Sequence, residues 1–194
     1  MRNGQVSLLL SGGIDSTAVL AYYLENGFDT RAYFIHYGHA ANDIEYKHAQ
    51  IVSEHYNTSL TLLRFTGATY TGKWEITGRN AFLILSVIIA SQSYSGIISA
   101  GIHKGSSYYD CNENFINTMK KLISGYSEGA VQLDFPLFEM TKDEIITYSK
   151  LHNVPIESTY SCQIGTDKPC GKCPSCIERS VAMRYVYNKD RVDK

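Results

Sequence analysis

The chain has 194 residues, 44% of them hydrophobic, and a formal net charge of −1. This size and apolar content suffice for one domain with its own core and a small appendage, and the near-neutral charge gives no basic field for binding nucleic acid. The apolar stretches at residues 6–10 and 81–90 are too short for a signal peptide or a membrane span, so we expect a cytoplasmic protein with no membrane partner.

Strands and helices are predicted to alternate along the chain. Short runs rich in β-forming residues predict five strands at 6–10, 31–36, 59–65, 96–100 and 131–134. Apolar residues recurring every three or four positions predict helices at 16–25, 42–56, 80–93, 113–127 and 141–151. This alternation indicates an α/β fold with a parallel, doubly wound five-stranded sheet, and we place a boundary near Pro155 that divides residues 1–155 from a tail, residues 156–194.

The most informative segment follows the first predicted strand and reads Leu10-Ser11-Gly12-Gly13-Ile14-Asp15-Ser16-Thr17. Two glycines allow a tight turn and a close approach of the backbone to a ligand. The next residues open a helix, whose unpaired amides and dipole favour a phosphate group. No G-x-x-x-x-G-K-[ST] motif occurs, so this is not a Walker A loop. The alternative is an ordinary strand–turn–helix corner with a polar cap.

Two further segments are expected at the same edge of the sheet. In open parallel sheets, ligands bind beyond the carboxyl ends of the strands, where the strand order reverses. The runs His36-Tyr37-Gly38 and Gly101-Ile102-His103 follow the second and fourth predicted strands. We therefore expect them beside the glycine turn. The polar segment at residues 67–78 is predicted to be a mobile loop.

Four of the five cysteines crowd into the tail as Cys162-x7-Cys170-x2-Cys173-x2-Cys176. In a reducing compartment this spacing favours Zn²⁺, and four sulfur ligands would leave no open position, so the metal would be structural. A disulfide pair, a redox CxxC and an iron–sulfur cluster are the alternatives, and spacing alone does not exclude the cluster. The fifth cysteine, Cys111, is interpreted as a packing residue, with a nucleophile or substrate contact as the alternative.

The segment at residues 10–17 resembles the Ser-Gly-Gly-x-Asp-Ser signature of the PP-loop ATP pyrophosphatase superfamily, and we call it the PP loop. Together with the four cysteines, it makes the chain similar to the 7-cyano-7-deazaguanine synthase family of queuosine biosynthesis. The resemblance also covers His36-Tyr37-Gly38, Gly78-Arg79-Asn80, Gly101, Tyr109-Asp110-Cys111 with Phe115, Pro136-Leu137 with Lys142, Cys170-Gly-Lys-Cys173 and Cys176-Ile-Glu-Arg179.

This resemblance implies a reaction and a set of roles. Family members convert 7-carboxy-7-deazaguanine, ammonia and ATP to the nitrile through an adenylated carboxylate. The implied partners are these small molecules and a second copy of the chain, with Mg²⁺ near Asp15 and zinc on the four cysteines. The implied catalytic residues are Asp15, Ser16, Arg79 and Lys142; ATP would contact residues 10–17, His36 and Gly101; the acid would contact Tyr37, Asn80, Asp110 and Cys111.

Several positions depart from the family pattern. His39-Ala40-Ala41 replaces the usual Gln-Arg-His, Thr77 replaces a proline, and Asn112 and Asn114 replace Arg and Glu. Loss of these polar partners predicts altered reading of the acid. The alternatives are therefore a homologue that transfers a related adenylated acid to a protein or nucleic acid, a PP-loop tRNA sulfurtransferase, and a nucleotide-binding module without catalysis.

Overall fold

The computed structural model of the protein describes residues 4–67, 76–92, 95–105 and 108–192, with side chains through residue 187. In this part of the chain there are five strands: β1 (Gln5–Leu9), β2 (Asp29–His36), β3 (Leu60–Arg64), β4 (Gly96–Ala100) and β5 (Val131–Asp134). There are six α-helices: α1 (Ile14–Glu25), α2 (Asn42–His55), α3 (Arg79–Ser91), α4 (Glu113–Ser127), α5 (Lys142–Leu151) and α6 (Pro174–Val192). Two short 3₁₀ turns lie at Tyr109–Cys111 and Ile156–Ser158.

The five strands form one parallel sheet in the order β3-β2-β1-β4-β5. The chain runs outward from β1 through β2 to β3, then returns to the other side of β1 to form β4 and β5. The order therefore reverses between β1 and β4, which places the ligand-binding edge at their carboxyl ends. The predicted parallel α/β fold is confirmed.

Both faces of the sheet are buried, as the near-continuous apolar strands predict. Alternate residues of β1 and the residue after it, Val6, Leu8 and Leu10, point to one core, together with α1, α2, α5 and α6. The intervening Leu9 points to a second core, formed with α3 and α4. The period of two along the strand thus assigns the helices to two layers.

The helix α6 was not predicted. The cysteine spacing indicated a metal site and gave no sign of a helix. Pro174 nevertheless suits the first position of α6, because the backbone N–H that proline lacks would have no partner within the helix there. Ala182 and Val186 then pack into the same core as Ile145 of α5. Within the described helices, none is long and apolar enough to cross a membrane.

Two predictions fall partly on residues that the structure does not describe. Residues 68–75 of the predicted mobile loop and residue 93 at the end of the third predicted helix lie outside the described residues. The strands β4 and β5 and the helix α4 have the predicted bounds, and the other predicted elements differ by one or two residues at one or both ends.

Candidate active site

A cleft of about 440 Å³ lies at the carboxyl edge of the sheet, a size typical of sites for small molecules. It brings together segments that are far apart in the sequence. The residues that line it from the PP loop are Leu10, Ser11, Gly13, Asp15 and Ser16, and those from elsewhere include Tyr37, His39, Asn42, Glu45, Arg79, Asn80, Gly101, Ile102, His103, Cys111, Lys142, Tyr160, Ser161, Gln163, Ser175 and Glu178.

Two glycines set the backbone of the cleft. Gly12 has a φ of +77°, and a Cβ there would lie 2.7 Å from the backbone N of Ala49 and the backbone O of Glu45. A Cβ on Gly101, after β4, would lie 2.6 Å from the backbone N of Ser16. The PP loop is thus pressed between α2 and the end of β4, and only glycine fits these two contacts.

Hydroxyl groups tie the PP loop to itself. Ser16 and Thr17 donate from their side chains to the backbone O of Gly13, over 3.1 and 2.8 Å. The backbone N of Ser11 donates to Ser16 Oγ over 3.2 Å. Ile14 and Thr17 are fully buried in the core and anchor the loop there. The cleft is lined by Ser11, Asp15 and Ser16.

A short ion pair in the cleft joins Asp15 and Lys142. The Lys142 ammonium donates to both carboxylate oxygens of Asp15, over 2.6 and 2.7 Å. Lys142 is the first residue of α5, and the capping box of Thr141 and Glu144 fixes that helix start. His103 Nε2 lies 3.9 Å from Asp15 Oδ2. Three of the residues predicted for catalysis, Asp15, Ser16 and Lys142, therefore line the same side of the cleft.

Arg79 also lines the cleft, together with Glu45, which was not predicted as a site residue. Glu45 is partly buried, and burial raises the pKa of its carboxyl to about 7 despite the opposing effects of Arg79 and of a hydrogen bond from Asn42. Burial and the charge of Arg79 also lower the pKa of His39. A signal for Glu45 existed, because it continues the buried stripe of α2 formed by Asn42, Ala49 and Val52.

Residues predicted to contact the acid separate into two groups. Asn80 and Cys111 line the cleft, whereas Asp110 lies behind them and accepts a hydrogen bond from the backbone N of Asn80 over 3.1 Å. Because Asn80 is at the start of α3, this carboxylate caps the helix and stabilises its dipole. Asn80 Nδ2 donates to the backbone O of Asp110 over 2.9 Å.

The two predicted site residues at the end of β2 also separate: His36 was expected near ATP and Tyr37 near the acid. Tyr37 lines the cleft, and its backbone N donates to Asn42 Oδ1 over 3.0 Å. His36 instead contacts the exposed Asp43, with its Nε2 lying 3.1 Å from Asp43 Oδ1. In the structure His36 is therefore not among the side chains that line the described cleft.

The four cysteines of the tail converge. Their sulfur atoms all lie within 4.8 Å of one another, and none is in a disulfide. Backbone N–H groups of Lys172 and Cys173 donate to Cys170 Sγ over 3.4 and 3.3 Å. The pKa of the Cys162 thiol is lowered. Burial alone would raise it, but hydrogen bonds to the sulfur, among them one from the backbone N of Cys170, have the larger effect. This donor set and its spacing fit a tetrahedral metal ion bound by four thiolates.

Most positions that depart from the family pattern lie away from the cleft. Ala41 is fully buried against the cysteines and Tyr160. Asn112 Oδ1 accepts from the backbone N of Phe115 over 2.9 Å and so caps α4, while Asn114 is exposed. Of the altered positions, all within the described residues, His39 lines the cleft. The side chains now present at Ala40, Ala41, Asn112 and Asn114 therefore do not line the described cleft. That the loss of the family's polar groups at these positions changes the reading of the acid stays a prediction.

Comparison with known proteins decides the family. Residues 68–187 match the family model of queuosine biosynthesis protein QueC, and residues 1–76 match that of asparagine synthase. The chain is also 31% identical to the 7-cyano-7-deazaguanine synthase of Thermoplasma volcanium, across 87% of this chain and 82% of that protein. The chain belongs to the 7-cyano-7-deazaguanine synthase family. The enzyme of that name from Gloeothece citriformis is 28% identical across 94% of this chain and 92% of that protein.

Solved structures agree with the fold of this synthase family member. NMN synthetase from Francisella tularensis gives a TM-score of 0.59 at 15% identity, over 95% of this chain and 77% of that chain. The U34-tRNA thiolase NcsA from Methanococcus maripaludis, solved with its [4Fe-4S] cluster, gives 0.56 at 15% identity, over 98% of this chain and 68% of that one. At this identity the likeness shows the PP-loop fold alone.

Proposed function

We propose that this chain converts 7-carboxy-7-deazaguanine and ammonia to 7-cyano-7-deazaguanine, and splits two ATP to AMP and pyrophosphate. The observation that carries this is the cleft itself, which combines the PP loop, the Asp15–Lys142 pair and Arg79 in a member of the synthase family. Of the altered positions, His39 lines the cleft and the others do not, and no contact in the structure favours transfer to a protein or nucleic acid.

The chemistry has two activations. A carboxylate is a poor electrophile, and bonding one of its oxygens to the α-phosphorus of ATP expels pyrophosphate and gives a mixed anhydride. Ammonia displaces AMP to form an amide, whose remaining oxygen is adenylated in turn. Loss of the second AMP and of two protons leaves the nitrile, so both carboxylate oxygens depart in AMP.

The PP loop and Lys142 form the side of the cleft suited to pyrophosphate. Amides at the start of α1 and the Lys142 ammonium stabilise the negative charge that develops on this leaving group. Asp15 orients Lys142 through both carboxylate oxygens and offers an oxygen ligand for Mg²⁺, which neutralises phosphate charge when it is bound. The loop therefore positions ATP and does little proton chemistry itself.

The part of the cleft around Arg79 suits the acid. Arg79 offers a planar guanidinium for a carboxylate, and Asn80 and Cys111 lie beside it. Asp110 acts indirectly, since it positions Asn80 through the start of α3. The four-cysteine cluster takes zinc in this proposal, and its role is structural because all four positions are filled by thiolates. The homodimer and the cytoplasmic location remain predictions.

Product analysis with labelled ammonia tests the proposal. The protein is incubated with 7-carboxy-7-deazaguanine, ATP and ¹⁵N-ammonium, and we expect a nitrile that contains one ¹⁵N and has lost both carboxylate oxygens. Lys142→Met, Asp15→Ala and Ser16→Ala should slow pyrophosphate release by about 100-fold or more, as for the loss of one charge-stabilising group. Lys150→Met, at the other end of α5, is the matched control. ATP binding without any nitrile would contradict the proposed reaction.

A further inference from the structure

Arg179 of α6 makes an unusual set of contacts with one short segment, residues 156–161. Its Nη1 donates to the backbone O and to Oγ1 of Thr159, over 3.2 and 2.8 Å, and to Ser161 Oγ over 3.2 Å. Its Nη2 donates to the backbone O of Ile156 over 2.9 Å. One guanidinium therefore fixes both ends of this segment, which its planar, multiply donating group suits well.

The same segment contacts the PP loop. The backbone N of Tyr160 donates to the backbone O of Gly12 over 2.9 Å. His48 Nδ1 lies 2.7 Å from the backbone O of Ser158, and its ring stacks on Tyr160 with 5.2 Å between centroids. Gly12 also packs tightly on α2 from its other side. Residues 156–161 therefore hold Gly12 by a backbone hydrogen bond, while α2 packs against the same residue.

The other end of the connection is the four-cysteine cluster. Two of its members, Cys173 and Cys176, lie immediately before and within the first turn of α6, and both are buried. Arg179 follows Cys176 by less than one turn, so a metal ion that fixes these two sulfur atoms also fixes the start of the helix and the base of the arginine. Arg179 itself is not among the described residues that line the cleft, so it does not contact a ligand there directly.

We propose that Arg179 is a positioning residue that couples the metal-binding cluster to the PP loop, by holding residues 156–161 against Gly12. The metal then stabilises more than the tail, because its site and the ATP site share one rigid connection. The inference rests on the proposed function in one respect, that the PP loop binds ATP.

The test compares Arg179→Met and Arg179→Lys with Arg184→Met, which removes an exposed arginine from the same helix. Three quantities are measured on the full chain: metal per chain, hydrogen exchange of the amides at residues 11–17 without nucleotide, and ATP affinity by calorimetry. We expect Arg179→Met to keep its metal, to exchange faster in the PP loop, and to bind ATP about tenfold more weakly, since several hydrogen bonds to a charged group are lost. Arg179→Lys should recover part of both losses, and Arg184→Met should match the unaltered chain.

Wild-type exchange and ATP affinity in a metal-loaded Arg179→Met chain would overturn the proposal. If that variant does not fold, Arg179→Lys decides by the same rule, because it keeps the charge and the apolar stem. The exchange measurement needs neither nucleotide nor acid. If the protein did not catalyse the synthase reaction, the exchange measurement would still test the coupling. If the exchange measurement contradicted the coupling, the proposed synthase reaction would be unaffected.

Discussion

The PP loop and the four-cysteine cluster are both short, glycine-containing segments, yet different interactions hold each of them in one conformation. The loop is held by the sheet, because Ile14 and Thr17 are buried in the core and its hydroxyls bond to its own backbone. The cluster packs against only a few apolar groups, among them Ala41 and Tyr160, and its four sulfur atoms face one another. We therefore predict that a bound metal ion is needed to keep the cluster ordered.

This difference separates stability from activity. Loss of a sulfur ligand should unfold the tail, because a segment with so small a core depends on metal binding for its folding energy. Loss of a polar group from the PP loop should spare the fold, because the glycines and buried side chains keep the turn. The two regions meet where the backbone N of Tyr160 donates to the backbone O of Gly12. Changes at this contact are therefore expected to affect both stability and activity.

The largest effect on stability is expected from Cys173→Ser. Removing this buried ligand should release the metal and lower the free energy of unfolding by at least about 3 kcal/mol. Metal analysis and thermal unfolding measure both. Cys111→Ser, at a buried thiol outside the cluster, is the control and should keep its metal. A Cys173→Ser chain with full metal and an unchanged melting temperature would show that the cluster does not order the tail.

A smaller loss is expected from Gly12→Ala. The new methyl group would meet backbone atoms of α2 at 2.7 Å in addition to the strain of a positive φ, so we expect a loss of about 2 kcal/mol. Gly27→Ala is matched in φ, at +75°, but has no atom within 4 Å of the added group. Urea unfolding should therefore show the larger loss at Gly12. Equal losses would mean that the loop is not pressed against α2.

The pH dependence of stability sharpens the comparison on the α2 side of the cleft. Burial raises the pKa of Glu45 from 4.5 to about 7, so the folded chain holds this proton more tightly than the unfolded chain does. The resulting stabilisation of the folded state is complete below pH 4.5 and is lost as the pH rises through 7. Between about pH 5 and pH 8, Glu45→Gln should reduce the fall in melting temperature by several degrees. Glu54→Gln, at an exposed position of the same helix, should leave that fall unchanged. The prediction fails if both variants follow the unaltered chain.

The smallest effect is expected from Asn112→Ala, which tests a position once interpreted as reading the substrate. Its side chain caps α4, so its loss should cost about 1 kcal/mol of stability. The KM for the acid should stay the same, because this side chain is not among those lining the described cleft. Asn114→Ala, exposed on the same helix, should change neither quantity. A raised KM in Asn112→Ala alone would return this residue to the substrate site.

Local pattern was enough for the fold and for the two chemical segments. Alternating strands and helices gave the sheet, and motif spacing gave the PP loop and the cysteines, since each depends on neighbours in the sequence. The positions of Glu45 and Tyr160 in the cleft and the contacts of Arg179 were not predicted, because they arise between segments that are distant in the sequence. The burial of Ala41 against the cysteines and Tyr160 was not predicted for the same reason, since only the folded tail shows what covers it.

The central claim, that the cleft activates a carboxylate by adenylation, is tested most directly by the fate of its oxygens. The protein is given 7-carboxy-7-deazaguanine labelled with ¹⁸O in both carboxylate positions, together with ammonium and ATP, and the nucleotide and phosphate products are analysed by mass. We expect two AMP for each nitrile, each with one ¹⁸O, and unlabelled pyrophosphate. Label in pyrophosphate or phosphate, or unlabelled AMP formed along with the nitrile, would contradict it.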